Sequence, residues 1–478
     1  MPYNPEDPFE IERYGRRLLG SSLRVTPGVR AIPDQFLEQA SGGRTRGKFG
    51  EVLERYYYGI QPGNAAYVPD FPEAEVELKS TGMVRKPRGY PWGPKERLVL
   101  NMYNYLEEPL AECIEASSFY KKNASIMLVG YEWESGKPLV DLCVRCAGLL
   151  QLPDIPQVDW EVVVSDFHFL QRKVRSGKAH EISEADTNYL ALCRKGNKGE
   201  RGQSGVYGSE KLYGRAYSFK AGFVHSLLGG LEPGWNARAQ IGPRALEHIE
   251  TSLEDDFLAR FHAFRHWTLE QISVALQYKV STAKSANYLL AIRIAGGAGR
   301  TPPAELQKAQ VLIKTVHLQE NGYLKESMSF EAFDFSALVN EDWNAPAILD
   351  EDDEENPAYP QFRRLLEHKV LMVVFQGERG PNSKLVGAFF WQMDFETLNG
   401  EVKRVWSRMR EAVGESNPSA FPKISESPVA HVRPKALNES DRDTLPNGKT
   451  HIKQCFWLNA SFVAAQIRER LGINAWHG

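Results

Sequence analysis

The sequence predicts an α/β protein made of two tandem copies of one fold, each a mixed central sheet flanked by helices. Three observations carry that expectation. A Gly/Pro-rich passage, Gly229-Gly230-Leu231-Glu232-Pro233-Gly234, interrupts the patterned sequence near the midpoint of the 478 residues, as a linker between domains would. Short matches recur on either side of it at an offset of about 235 residues, the mark of duplicated architecture. In each half, strand-length apolar runs alternate with helical periodicities. The expected domains are residues 1–232 and 236–478.

The elements follow in order. Phe49, Val52, Leu53, Tyr56 and Tyr57 recur at helical spacing, with Glu51 and Glu54 off that stripe, so an amphipathic helix is expected there. After the loop Gln61-Pro62-Gly63-Asn64, the segment from Val68 to Lys79 reads as a hairpin, or as a turn followed by a strand. A further strand, Leu98-Val99-Leu100-Asn101-Met102, is expected to pair beside it. The run Ser125 to Tyr131 suits a buried strand, and Lys369 to Phe375 repeats it. Glu77-Leu78-Lys79-Ser80 faces Leu312-Ile313-Lys314-Thr315, and Gly47-Lys48-Phe49-Gly50 faces Ala283-Lys284-Ser285-Ala286. Ala221-Gly222-Phe223-Val224 returns as Ala460-Ser461-Phe462-Val463. The acidic run Asp350 to Glu355 cannot bury its charge and is expected as a solvated loop, a poor neighbour for phosphate.

Composition excludes several classes. With 42% apolar and 25% charged residues the chain can bury a core in each half and is not disordered. A net charge of -3 argues against a protein that coats nucleic acid but leaves room for a local basic groove. Five scattered cysteines point to a reduced compartment without a disulfide framework. The lone Cys143-x-x-Cys146 lacks the further ligands a zinc site needs. No stretch reaches the length of a membrane span and the amino terminus lacks a signal pattern, so a cytoplasmic protein is expected.

Chemistry concentrates around Asp70, Glu77 and Lys79. Magnesium prefers oxygen ligands and keeps several waters, so a hydrolytic site needs two or three carboxylates at one point rather than a closed cage. Side chains alternate along a strand, which sets Glu77 and Lys79 on one face with Leu78 on the other. The acid can hold a metal that acidifies water, and the lysine can orient or deprotonate that water. The triplet alone is unspecific: Glu367-His368-Lys369 and Glu401-Val402-Lys403 also fit it, and a solvated ion pair on an exposed strand has the same pattern.

The wider string Pro69-Asp70-Phe71-Pro72-Glu73-Ala74-Glu75-Val76-Glu77-Leu78-Lys79 closely resembles the MutH family of DNA endonucleases, with their PD-(D/E)XK site. Ser117 to Asn123 before a strand, Lys314-Thr315-Val316-His317, Lys325 to Phe330 and His431-Val432-Arg433-Pro434-Lys435 extend the likeness over nearly the whole chain, to the two-domain, staphylococcal-type GATC-cutting type II restriction endonucleases of that family. The resemblance implies two restriction-endonuclease-like domains. It gives Asp70, Glu77 and Lys79 the catalytic roles, with Glu54 as an additional helical acid and Lys122 as a supporting lysine near the scissile phosphate; Lys121 competes for that last role. Asp70, Glu77 and Glu54 would then hold Mg2+.

At the repeat offset Glu77 falls on Leu312, Glu54 on Leu290, Asp70 on Glu305 and Lys79 on Lys314. Leucine offers magnesium no ligand. The second copy is therefore expected to be a degenerate nuclease fold, which the resemblance implies is a DNA-binding, allosteric effector domain. Between Arg194 and Lys220, seven basic residues (Arg194, Lys195, Lys198, Arg201, Lys211, Arg215, Lys220) face two acids, an excess that attracts phosphate. Lys195 matches the lysine of the family's R-P-K recognition segment. The first copy reads Cys193-Arg194-Lys195 where the second keeps Arg433-Pro434-Lys435, which puts the role of Arg194 in doubt. Arg433, Lys435 and Lys453 are the candidate DNA contacts of the second half. Gly448-Lys449-Thr450 lacks the leading glycine of a P-loop, so no nucleotide cofactor is expected. The expected function is Mg2+-dependent double-strand cleavage at a short palindrome, GATC by resemblance. The expected assembly is a monomer that dimerises or loops DNA when it holds two sites. The alternatives are a strand-nicking, mismatch-repair-type endonuclease and a catalytically silent DNA-binding regulator.

Overall fold

The computed structural model describes residues 2–29, 32–33, 36, 48–60, 67–85, 92–196, 206–208, 212–231, 242–279, 285–349 and 355–473. The chain forms two compact units. Unit 1 comprises Met1–Ser252 with two later segments, Ala304–Gln310 and Pro346–Glu355; unit 2 comprises Leu253–Pro303, Val311–Ala345 and Asn356–Gly478. This departs from a single cut between residues 232 and 236. Gly229 and Gly230 do not open a linker, because the helix Ala221–Leu231 runs through them with Leu227, Leu228 and Gly229 buried. Packing of that apolar face overrides the weak helix propensity of the two glycines.

Among the described residues unit 1 holds seven strands: β1 (Val76–Arg85), β2 (Trp92–Pro94), β3 (Leu98–Met102), β4 (Ser125–Glu132), β5 (Val144–Gln151), β6 (Leu190–Arg194) and β7 (Arg215–Phe219). They form a mixed sheet in the order β2-β1-β4-β5 and a second, three-stranded sheet β3-β7-β6. β4 is buried along nearly its whole length, as its unbroken apolar run requires of a strand covered on both faces. It takes β1 as its parallel neighbour. The expectation that Leu98–Met102 lies beside β1 is thereby corrected: β3 pairs with β7 in the other sheet. The core against β1 and β4 gathers Tyr3, Tyr14, Tyr57, Tyr58 and Phe71 with Met127 and Val129.

Unit 2 holds β8 (Leu312–Leu318), β9 (Met328–Ala332), β10 (Val370–Gln376), β11 (Lys384–Trp391), β12 (Ala430–Pro434), the hairpin β13 (Arg442–Thr444) and β14 (Thr450–Ile452), and β15 (Gln454–Leu458). Its sheets are β11-β10-β8 and β12-β15-β9. β8 is parallel to β10 and β10 antiparallel to β11, as β1 is to β4 and β4 to β5. The registers agree in detail. Glu77 pairs with Ile126 and Lys79 with Leu128, while Leu312 pairs with Val370 and Lys314 with Met372. Matching Ser125–Tyr131 with Lys369–Phe375 makes Ile126 the counterpart of Val370, so Leu312 stands at the strand position of Glu77. In the other sheets Cys193 lies opposite Ala216 and Arg433 opposite Cys455, which aligns Cys193 with Arg433 and Arg194 with Pro434. Among the described residues no helix is long and apolar enough to cross a membrane.

Candidate active site

The acid-bearing helix begins as Lys48–Val52 and continues as a π-helical stretch, Leu53–Tyr58. Phe49, Val52, Leu53, Tyr57 and Tyr58 are its buried residues. Tyr58 thus takes the place expected for Tyr56, which is half-buried, because the wider π turn rotates the later residues relative to an ideal helix. Glu54 opens this stretch.

Asp70 is set by a tight reversal ahead of β1. Phe71 and Val76 exchange backbone hydrogen bonds of 2.9 and 3.2 Å, and Glu75 sits between them at a φ of 54°. The buried Phe71 ring anchors the turn. This folds Asp70 back onto the strand, where its Oδ2 accepts from the Leu78 amide at 2.9 Å and its own amide donates to Glu77 Oε2 at 3.2 Å. Glu77 is 2% exposed. Its Oε1 receives the Lys79 ammonium at 2.8 Å and that of Lys122 at 3.5 Å. An exposed, solvated ion pair is not what the fold builds here.

Lys122 reaches the site from the helix Ser118–Asn123, capped by Ser117, whose Oγ accepts from the Tyr120 amide. Lys121 on the same helix is exposed and has no contact with Glu77, so the geometry selects Lys122 of the two. A buried polar network fixes that helix. Glu108 accepts from the Ser118 amide and from the Tyr217 hydroxyl, and Asn101 bonds both Ser118 Oγ and Asn123 Nδ2. Glu108, Asn101 and Asn123 are positioning residues that the sequence reading missed. They are single polar residues without periodicity, and only burial marks them.

Three carboxylates therefore converge on two ammoniums. Burial, then the charge of Asp70, pushes Glu54 up to about 7. Burial, then Glu77, pushes Asp70 up to about 6, against the pull of Lys79 and Lys122. Such mutual crowding of acids disfavours their ionisation and is relieved by a cation. Among the described residues no three His, Cys, Asp or Glu side chains form a ready-made metal cage. Two carboxylates with a third behind them instead suit a hard ion that keeps part of its water shell, and Asp70, Glu77 and Glu54 fit such an ion on donor chemistry.

The family model described as "DNA mismatch repair enzyme MutH" matches residues 58–162, the stretch that carries Asp70, Glu77, Lys79 and Lys122. The curated type II restriction enzyme Sau3AI of Staphylococcus aureus is 30% identical over 470 residues, covering 90% of this chain and 94% of that protein. The chain belongs to the MutH-like family of DNA endonucleases. As a member it is a restriction endonuclease, a site-specific deoxyribonuclease that hydrolyses phosphodiesters. In this MutH-like enzyme, Cys143 and Cys146 are free thiols, half-buried and buried respectively.

The expected DNA contacts divide. Lys198, Arg201 and Lys211 lie outside the described residues. Lys220 is corrected: it is 2% exposed and its ammonium donates to the Thr187 carbonyl at 2.6 Å, so its charge serves the core. Arg194 is corrected as well, being buried with its guanidinium 3.7 Å from the centroid of the Tyr213 ring. Arg215 is buried and donates to the carbonyls of Leu192 and Ile182. In all three, local charge count misled because a long side chain on a strand or at its end can satisfy backbone carbonyls or stack on a ring inside the fold. Lys195 is half-buried at the end of β6, bridged to Ile348. Ile348 packs with Val99, Cys193 and Ala216. Asp350–Glu354, most of the acidic run, lies outside the described residues; Glu355 bridges to Ile348 and donates its amide to Glu96.

In unit 2, Arg433 and Lys435 are exposed. Lys453 is held by Asp441 at 2.6 Å, which neutralises much of its charge. Leu290, at the place expected for a helical acid, is fully buried in the helix Ala286–Ala295. Glu305, the counterpart expected for Asp70, is 1% exposed; it belongs to unit 1 and accepts from the amides of Ala245 and Leu246.

Proposed function

We propose that the chain is a type II restriction endonuclease that uses Mg2+ to cut both strands of DNA at a short palindrome, with one active site, in unit 1, and with unit 2 as a degenerate nuclease domain that binds a second site. The convergence of Asp70, Glu77 and Glu54 with Lys79 and Lys122 carries the reading. Asp70 and Glu77 would hold the ion, with Glu54 behind them. Magnesium supplies a Lewis-acid centre that acidifies water and offsets charge on the phosphate. Lys79, fixed on Glu77, orients the attacking water and takes up or passes on its proton. Lys122 faces the same carboxylate from another element and stabilises the growing charge on the phosphate. Water adds at phosphorus and the sugar oxygen departs with a proton.

Leu312 at the strand position of Glu77, and Leu290 in place of a helical acid, support a unit 2 that binds without cutting. Lys195, Arg433 and Lys435 are the DNA contacts we retain. GATC rests on the family likeness alone. Digestion of a plasmid of known sequence with magnesium, followed by sequencing of the ends, tests the whole reading. Linear products ending at one tetranucleotide are expected. Nicked circles would instead assign a strand-nicking endonuclease, and uncut plasmid a silent DNA-binding protein.

A further inference from the structure

Where unit 1 brings carboxylates to its lysines, unit 2 brings more cations. A cavity of about 160 Å³ lies along β8 and the segment leading into β9, lined among others by Lys314, His317, Lys325, Glu326 and Arg379. Three of these are cations and one is an acid. Among the described residues Lys314, Lys325 and Arg379 form no ion pair, in contrast to Lys79 and Lys122, which share Glu77. Lys325 and Arg379 are exposed and Lys314 half-buried. Burial and the nearby charge of Lys435 push the Lys314 ammonium below its usual value, with only Glu331 acting the other way.

His317 adds a polar wall. One ring nitrogen, Nε2, is bonded to the Gly377 carbonyl at 2.7 Å, which makes it the protonated one and leaves Nδ1 as an acceptor. That Nδ1 is buried and has no partner. Burial and Arg379 hold the ring below its ordinary pKa, so it stays neutral and adds no charge. The three unpaired cations suit an anion, and the buried Nδ1 acceptor is met by a water hydrogen that can bridge to that anion rather than by the anion itself. The volume is below that of pockets for drug-sized ligands, so it admits a phosphate group rather than a whole nucleotide.

We propose that this cavity is a metal-independent phosphate site, in which Lys314, Lys325 and Arg379 take a backbone phosphate of the second DNA duplex. The inference rests on the reading that unit 2 engages a second duplex, and adds where it is held and by what chemistry. In unit 1 Asp70 and Glu77 would hold an ion that offsets the phosphate charge; in unit 2, with Leu312 in place of the acid, the ammonium and guanidinium groups meet the phosphate directly. Its occupancy therefore needs no divalent ion.

The test uses the full chain carrying Glu77→Ala, so that nothing is cut, titrated in chelator with a short fluorescent duplex containing the cleavage site, over a range of salt. A second duplex is expected to bind without magnesium. Lys325→Ala and Arg379→Ala, both at exposed positions where folding is not at stake, should each weaken that second event and lower its salt slope by about one. Lys314→Ala should do the same, with a melting curve to certify the fold. If no second duplex binds with or without magnesium, the second-site reading fails and this inference with it. If a second duplex binds but only with magnesium, or binds as tightly and with the same salt slope in Lys325→Ala and Arg379→Ala, unit 2 keeps its role and the cavity loses it.

Discussion

β1 and β8 are each the parallel neighbour of a buried strand, β4 and β10, in the same pairing register, yet they present different chemistry. Glu77 is buried under two ammoniums; Leu312 at the same register position is partly exposed. Conserving the ladder while replacing one acid keeps a parallel strand in place, because register is fixed by backbone pairing and by the apolar face, neither of which needs Glu77. The same change removes the group that could hold a metal. Strand pairing and the acid at that register position are thus separable.

The largest expected effect that sharpens the contrast is in cleavage. Lys79→Ala should reduce the single-turnover rate by roughly a thousandfold, on the scale of losing one preorganised charge-stabilising group, while leaving duplex affinity nearly intact. A loss confined to affinity would move Lys79 out of the chemistry and make β1 a binding strand like β8.

Next comes a stability effect that breaks any simple division of the chain. Lys308 belongs to a segment far along the sequence but packs in unit 1, where its ammonium meets the buried Asp159 carboxylate at 2.6 Å, both side chains 3% exposed or less. Lys308→Ala leaves that carboxylate buried and unpaired, which costs about 3–5 kcal/mol. Thermal unfolding should show a lower transition for unit 1 with that of unit 2 unmoved. By the same reasoning, truncation after Gly234 removes Lys308, Glu305 and Ile348 from unit 1 and should destabilise it. An equally stable truncated chain would show these contacts to be dispensable.

A smaller effect concerns pH. Glu54 has its folded pKa raised to about 7, so the fold favours its protonated form. That favourable contribution is complete below the unfolded carboxylate range and is lost as pH rises through about 7. In metal-free protein, Glu54→Gln should therefore stabilise the fold above pH 7, by at most about 3 kcal/mol, seen as a raised melting temperature, and change little near pH 4. With magnesium the sign should reverse, because the ionised acid then has a cation to face. A Gln variant no more stable at pH 8 than the parent would show that the three carboxylates do not crowd one another.

Much of the site was legible because strand alternation puts Glu77 and Lys79 on one face, and the D-F-P run with its family likeness singles out that triplet among three. The parallel pairing of β1 with β4 and the antiparallel pairing of β4 with β5 recur as β8 with β10 and β10 with β11, a likeness the apolar runs of the sequence already suggested. What sequence could not supply was burial. Lys220, Arg194 and Arg215 read as surface charge until the fold enclosed them, and Glu108, Asn101 and Asn123 read as ordinary polar residues until they joined one network. The pairing of β3 with β7 and the return of Ala304–Gln310 and Pro346–Glu355 to unit 1 depend on long-range packing, which no local pattern encodes.

The measurement that bears most directly on a single active site is plasmid cleavage by the full chain with Glu77→Ala, with and without Leu312→Glu. Neither protein should cut, since even with an acid restored on β8 unit 2 has Leu290 where a helical acid is expected and Glu305 belongs to unit 1, held by the amides of Ala245 and Leu246; both should still bind duplex DNA. Cleavage by Glu77→Ala at the parental rate would contradict the account, because the acid assigned to hold the metal would then be unnecessary.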